Sequence, residues 1–127
     1  MFKFKKIRDL NRRRDLDVIS ELISPGERVL DLGCGNGRFL GYLKSERQAE
    51  VLGVEIDPES IAQCIANGVP VVQAELSDQL LFADDGAFDL VVLSHTLQEM
   101  RHPEDVLKHI VRAGKRAAVS EIGRAHV

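Results

Sequence analysis

The stretch Arg28 to Gly37, Arg-Val-Leu-Asp-Leu-Gly-Cys-Gly-Asn-Gly, constrains this chain more than any other. Val29, Leu30 and Leu32 make a short apolar run around one acid, Asp31, and glycine then recurs at 33, 35 and 37 before helix-like sequence begins at Arg38. Such a pattern encodes a strand, a tight turn and a helix start. Glycine tolerates positive φ and carries no Cβ, so a ligand can approach the backbone of a turn at the carboxyl end of a parallel strand. The stretch therefore implies an α/β fold with a nucleotide-like ligand at the turn, against the plainer alternative of an ordinary strand-to-helix connection.

The glycine spacing narrows the ligand. A dinucleotide fingerprint, G-x-G-x-x-G counted from Gly33, needs glycine at position 38, which is Arg38. The pattern here is acid-x-G-x-G-x-G, Asp31 to Gly37, and it resembles motif I of the class I S-adenosylmethionine-dependent methyltransferases. The resemblance implies a turn that wraps the methionine half of S-adenosyl-L-methionine, with Asp31 helping to hold its ammonium group. Charge agrees with this: a carboxylate beside the turn attracts a cationic ligand and repels a pyrophosphate.

Composition sets outer limits. With 127 residues, 44% hydrophobic and 29% charged, the chain suits one globular α/β domain. No apolar run reaches the ~18 residues of a membrane span, and the N-terminus lacks the apolar core of a signal peptide, so a cytoplasmic protein is expected. Cys34 and Cys64 have neither zinc spacing nor a disulfide-rich context; free thiols and no metal site are expected. A net charge of -3 with 5% aromatics argues against a nucleic-acid partner. The local exception is Met1 to Arg14, with seven basic residues against Asp9, read as a basic, solvated N-terminal arm.

From Asp15 onward the elements follow in order. Leu16, Ile19, Leu22 and Ile23 space one face of a helix that ends near Pro25-Gly26; Phe39, Leu40 and Leu43 space the next. Val51 to Ile56 reads as the second strand. Glu55 at its end comes about 22 residues after Gly33, near the ~20-residue interval at which an acid meets ribose hydroxyls. Its rival Asp57 is followed by Pro58 and reads as a helix N-cap, so Glu55 is the ribose candidate, with no other partner apparent and little expected effect on stability. The helix from Pro58 to Asn67 is expected to face inward with Ile61, Ala62 and Ile65, and to close at Gly68. Val69 to Gln73 is the third strand and Phe88 to Ser94 the fourth. A helix from Pro103, with Val106, Leu107, Ile110 and Val111 on one face, and a strand from Arg116 to Ser120 complete the domain.

After the third strand, class I methyltransferases commonly place an acid that receives the adenine amino group, and Glu75 stands there, although the family more often uses Asp; a surface Glu opening a loop is the equal alternative. The expected cofactor contacts are Asp31, Gly33, Cys34, Gly35 and Gly37 from the turn, and Glu55, Ile56, Glu75, Leu76 and Ser94 from the ends of the other strands. Ser94, His95 and Thr96 face the substrate side. His95 is a candidate general base, because an imidazole titrating near pH 6.5 is partly free at neutrality, against the commoner case of a loop histidine that shapes the pocket. No Asn-Pro-Pro-Tyr-type signature for methylating amines follows the fourth strand.

Within that class, Val29 to Gly37, Gly53-Val-Glu-Ile-Asp-Pro58, Ile61 to Cys64 with Ile65, Phe88 to Gln98 and Arg112 to Ser120 are similar to the MetW family of methionine biosynthesis proteins, most specifically in Ser94 to Gln98. The resemblance covers about residues 15 to 120. It implies a doubly wound parallel sheet of Rossmann-like class I methyltransferase type, with the five strands ordered 3-2-1-4-5. It also implies S-adenosylmethionine as cofactor and a homoserine O-acyltransferase as companion. Two functions follow: a methyltransferase whose acceptor is held near Ser94 to Gln98, or a cofactor-sensing accessory subunit of the acyltransferase. Glu121 to Val127 departs from the family, and is also the translation of a DNA string found in common short-read sequencing adapters. It is expected to be a non-native tail on a C-terminally truncated domain, leaving the fifth strand as an exposed edge.

Overall fold

The computed structural model describes residues 3–7, 12–76, 83–93 and 101–120. Among the described residues six strands form one sheet: β1 (Lys3–Ile7), β2 (Arg28–Leu32), β3 (Glu50–Glu55), β4 (Val71–Gln73), β5 (Phe88–Leu93) and β6 (Gly114–Ser120), in the spatial order β1-β6-β5-β2-β3-β4. Every pairing is parallel, and β2 lies between β3 and β5 with Asp31 opposite Gly53 and Val92. The described helices between them are α1 (Arg12–Glu21), α2 (Arg38–Glu46), α3 (Pro58–Ala66) and α4 (Pro103–Ala113). The doubly wound sheet and the order of the five strands β2 to β6 are as the sequence implies.

Parallel strands covered on both faces must be apolar on both, and β2 and β5 are. Val29, Leu90 and Val92 pack with Ile19 and Ile23 at the end of α1, Leu40 and Leu43 of α2, and Cys64 of α3. On the opposite face Leu30, Leu32, Val91 and Leu93 pack with Val106, Ile110 and Ala113 of α4. Each such fully buried aliphatic side chain contributes about 1.5–3 kcal/mol. The alternation assigns Asp31 to the α1, α2 and α3 face, where it is 2% exposed.

Two helices depart from expectation, α3 at Ala62 and Ile65 and α4 at Val111 alone. On α3 the buried residue is Cys64, while Ala62 is exposed and Ile65 is 67% exposed. The Asp57 cap and Pro58 set where the helix begins, and that phase puts Ile61 and Cys64 toward the sheet. On α4, Val106, Ile110 and Ala113 face inward and Val111 is 53% exposed, because β6 starts directly at Gly114 and holds the last turn against the sheet.

The edge also differs. The segment expected as a solvated basic arm supplies β1, whose Lys3 to Ile7 pair with Arg116 to Ser120, so β6 is not an edge strand. Glu121 to Val127 lies outside the described residues.

At the amino ends of the strands, away from the glycine turn, a charged network ties the layers. Asp89 accepts hydrogen bonds from the Arg28 backbone N–H at 2.8 Å and its Nε at 3.5 Å, and pairs with Lys115 at 3.4 Å. Arg116 donates to the carbonyl of Leu22 at 2.7 Å and to Glu27 at 2.8 Å, joining β6 to the segment before β2.

Candidate functional site

The turn between β2 and α2 is built from left-handed glycines: φ is 79° at Gly33, 59° at Gly35 and 82° at Gly37. A non-glycine residue is strained at each. The N–H groups of Gly33 and Cys34 both donate to the Val54 carbonyl, at 2.8 and 3.1 Å, which anchors the turn to β3. Gly37 makes no side-chain cap for α2; Asn36 Oδ1 accepts from Arg38 N at 3.0 Å instead.

The three helix-side glycines of the site are small for different reasons. A Cβ on Gly35 would meet nothing within 4 Å, so this residue presents open backbone. A Cβ on Gly37 would come within 2.9 Å of Cys64 Sγ, and one on Gly53 would be driven into Cys34, whose own Cβ would stand 2.9 Å away. Gly35 is thus bare toward a ligand, whereas Gly37 and Gly53 make room for buried thiols.

Glu55 stands at the end of β3 beside the turn, as the spacing implies, but it is not without partners. Its Oε1 accepts from Gly35 N at 2.8 Å, and its Oε2 accepts from Ile56 N and Asp57 N, both at 3.0 Å. The carboxylate is therefore a backbone organiser of the turn, which corrects the expectation that it has no other partner. Asp57 is the α3 N-cap: its Oδ2 accepts from Ser60 N and Ser60 Oγ, each at 2.9 Å. Gly68, at φ 73°, follows the helix as its C′ residue.

Beyond Glu55, Ile56 is 50% exposed at the strand end, an apolar surface beside an acid that a ring could cover. Glu75 is exposed past β4, and Leu76 tucks partly against the α4-side core. Ser94, His95 and Thr96 lie outside the described residues. The structure thus brings Asp31, the turn, Glu55 and Ile56 to the carboxyl ends of β2 and β3. Sequence reasoning missed Cys64 and Gly53, whose roles come from contacts between elements and leave no local signal.

Burial raises the Cys34 pKa well above the usual thiol range, and the negative charge of Asp31 adds to it. Burial raises Cys64 as well. Both are free thiols, held protonated, with Sγ atoms 3.7 Å apart. Among the described residues, His102, Glu104 and Asp105 bring candidate metal-ligand atoms within 4.8 Å of one another at the start of α4. They are mostly exposed and sit at the positive end of a helix dipole, which disfavours a cation. No helix among the described residues is long and apolar enough to cross a membrane.

The family model of the methionine biosynthesis protein MetW matches residues 13–124. The bifunctional methionine biosynthesis protein MetXA/MetW of Rhodopirellula baltica is 31% identical over 120 residues, which cover 88% of this chain and 19% of that protein. A TehB-like S-adenosylmethionine-dependent methyltransferase from Corynebacterium glutamicum superposes with a TM-score of 0.67 at 32% identity, covering 80% of this chain and 56% of that one. A Haemonchus contortus phosphoethanolamine N-methyltransferase, solved with S-adenosyl-L-methionine, has a TM-score of 0.67 at 20% identity over 81% of this chain and 26% of its own, a likeness of fold. The chain spans between 19% and 56% of the length of these proteins.

Proposed function

The chain belongs to the MetW family of methionine biosynthesis proteins, and from that premise we propose that it binds S-adenosylmethionine at the carboxyl ends of β2 and β3 as a methyltransferase-type domain. The observation that carries this reading is Gly35: a left-handed residue with open space where its Cβ would be, flanked by an acid on the next strand. A cradle of this shape fits a ligand that lies against backbone. Asp31 supplies negative charge behind the turn for a cationic amino-acid end. Glu55 accepts from the ribose hydroxyls. A carboxylate offers about four acceptor positions and three backbone N–H groups already use Glu55, so engaging both hydroxyls requires one backbone bond to be shared or released. Ile56 offers its exposed face to the adenine, and Leu76, Glu75 and Ser94 complete the expected contacts.

When bound, S-adenosylmethionine supplies an electrophilic methyl group on a sulfonium. The chain's part is to orient it and to hold an acceptor on the Ser94 to Gln98 side, with His95 as the candidate to take a proton; proximity supplies most of the acceleration. The acceptor is a small molecule not specified by these residues. The proposal puts the protein in the cytoplasm with the methionine pathway. Titration calorimetry tests the cofactor: S-adenosylmethionine should bind and NAD should not, and an absence of heat with the former would overturn the reading.

A second reading, an accessory or sensing subunit, is favoured by one observation: the Rhodopirellula baltica protein carries MetXA and MetW in a single chain. This supports a homoserine O-acyltransferase as partner. Transfer of a labelled methyl group to metabolites, set against co-purification with the acyltransferase, separates the two: label transfer without association favours the enzyme, and association without transfer favours the subunit.

A further inference from the structure

The two thiols behind the turn have no part in the proposed chemistry, yet their geometry is specific. Cys64 is 0% exposed, and its Sγ donates to the Gly35 carbonyl at 3.1 Å. Cys34 Sγ lies 3.7 Å from Cys64 Sγ and from the same carbonyl. The Gly35 N–H points instead to Glu55 Oε1 at 2.8 Å. Both polar groups of one glycine are thus held from the β3–α3 unit, the N–H by the end of the strand and the carbonyl by the last turn of the helix. The residue so held is the one with φ 59° and open space on its Cβ side.

We infer that Cys64 is a positioning residue for the cofactor turn: its thiol proton on the Gly35 carbonyl fixes the Gly35–Asn36 peptide so that the bare side of Gly35 faces the ligand. The inference rests on the proposed cofactor site and adds to it a residue that does not touch the cofactor. Burial, with Asp31 and Glu55 nearby, keeps the thiol protonated and therefore a donor. The part-buried carbonyl beside an apolar replacement would keep only the more distant Cys34 thiol, at 3.7 Å, and would turn away, carrying the Gly35 backbone with it. Contact with Gly37, whose missing Cβ leaves space for Cys64 Sγ, extends the support along the turn.

Three variants of the full chain test this. Cys64→Ala removes the donor, Cys64→Val removes it without opening a cavity, and Cys64→Ser keeps an O–H donor. Two readouts are taken: amide exchange at Gly35 by NMR in the unliganded protein, and S-adenosylmethionine affinity by calorimetry. Exchange at Gly35 should quicken by about tenfold in the Ala and Val variants while core β2 amides such as Leu30 are unchanged. Affinity should fall by about threefold to tenfold. Cys64→Ser should restore both to within about twofold of the parent. Gly35 exchange and affinity unaltered in Ala and Val, or a Ser variant no better than Val, would overturn the inference. Should Cys64→Ala fail to fold, the comparison of Ser with Val decides. If the parent protein takes up no S-adenosylmethionine, the cofactor reading fails, and the exchange arm still decides the role of Cys64.

Discussion

Replacing Glu55 with alanine removes three hydrogen bonds from a carboxylate to backbone N–H groups, at 2.8 Å to Gly35 and 3.0 Å to Ile56 and Asp57. Bonds to a charged group contribute about 1.5–3 kcal/mol each when partly buried, as that to Gly35 is. The other two are exposed, water replaces the lost acceptor, and about 0.5 kcal/mol each is the reasonable magnitude. The expected loss is about 2.5–4 kcal/mol. For a chain of this size each kcal/mol moves Tm by about 3–5 °C, so Glu55→Ala should melt about 8–20 °C below the parent without any ligand. Glu55→Gln, which keeps one acceptor oxygen for Gly35, should lose less than half as much. Affinity for S-adenosylmethionine should fall at least about tenfold in Glu55→Ala, by calorimetry. An alanine variant that melts within about 2 °C of the parent would show that the backbone bonds do not organise the turn, and the account of Glu55 would have to be abandoned.

Other perturbations separate the parts of the site. Gly35→Val should abolish cofactor binding by calorimetry while leaving the circular dichroism spectrum intact, since the space is open but φ 59° strains a branched residue by about 1–3 kcal/mol. Asp57→Ala should cost about 1 kcal/mol in chemical denaturation by removing the α3 cap, with cofactor affinity nearly unchanged; a strong loss of affinity would transfer the ribose role to Asp57. At Asp89, burial pushes the carboxyl pKa up, but the backbone and guanidinium of Arg28 and the ammonium of Lys115 outweigh it and leave the group below its ordinary value. A depressed folded pKa means stability that is present above the unfolded value of about 3.9 and lost as pH falls below it through the folded value. Asp89→Asn should therefore lower stability at pH 7 and flatten its decline below about pH 4, read from urea midpoints.

The turn was legible because its geometry is written in residue type. Positive φ at 33, 35 and 37 requires what only glycine supplies cheaply, and Asp57-Pro58 announces a cap for the same local reason. The partners of Glu55 were not legible. Its bond to Gly35 joins residues 20 apart in sequence and depends on how β3 lies beside β2. Ile65 misled because apolar identity alone does not fix which side of a helix is buried; the neighbouring Cys64, filling space left by Gly37, takes the inward position. Lys3 to Ile7 escaped notice for a different reason: its place in the sheet comes from backbone pairing with Arg116 to Ser120, which composition does not report.

That pairing has a kinetic side. Of the described strands, β1 is the first to leave the ribosome and β6 the last, and the two lie side by side. A nascent chain therefore holds β1 without its neighbour until β6 has been made. The entropy of closing so long a loop grows slowly, by about 0.6 kcal/mol per doubling of its length, so equilibrium penalises the arrangement little. Rate is another matter, because contacts between distant parts of a chain slow folding. Among the described strands, the one made first thus gains its neighbour last, after the glycine turn and both of the strands beside it have been made.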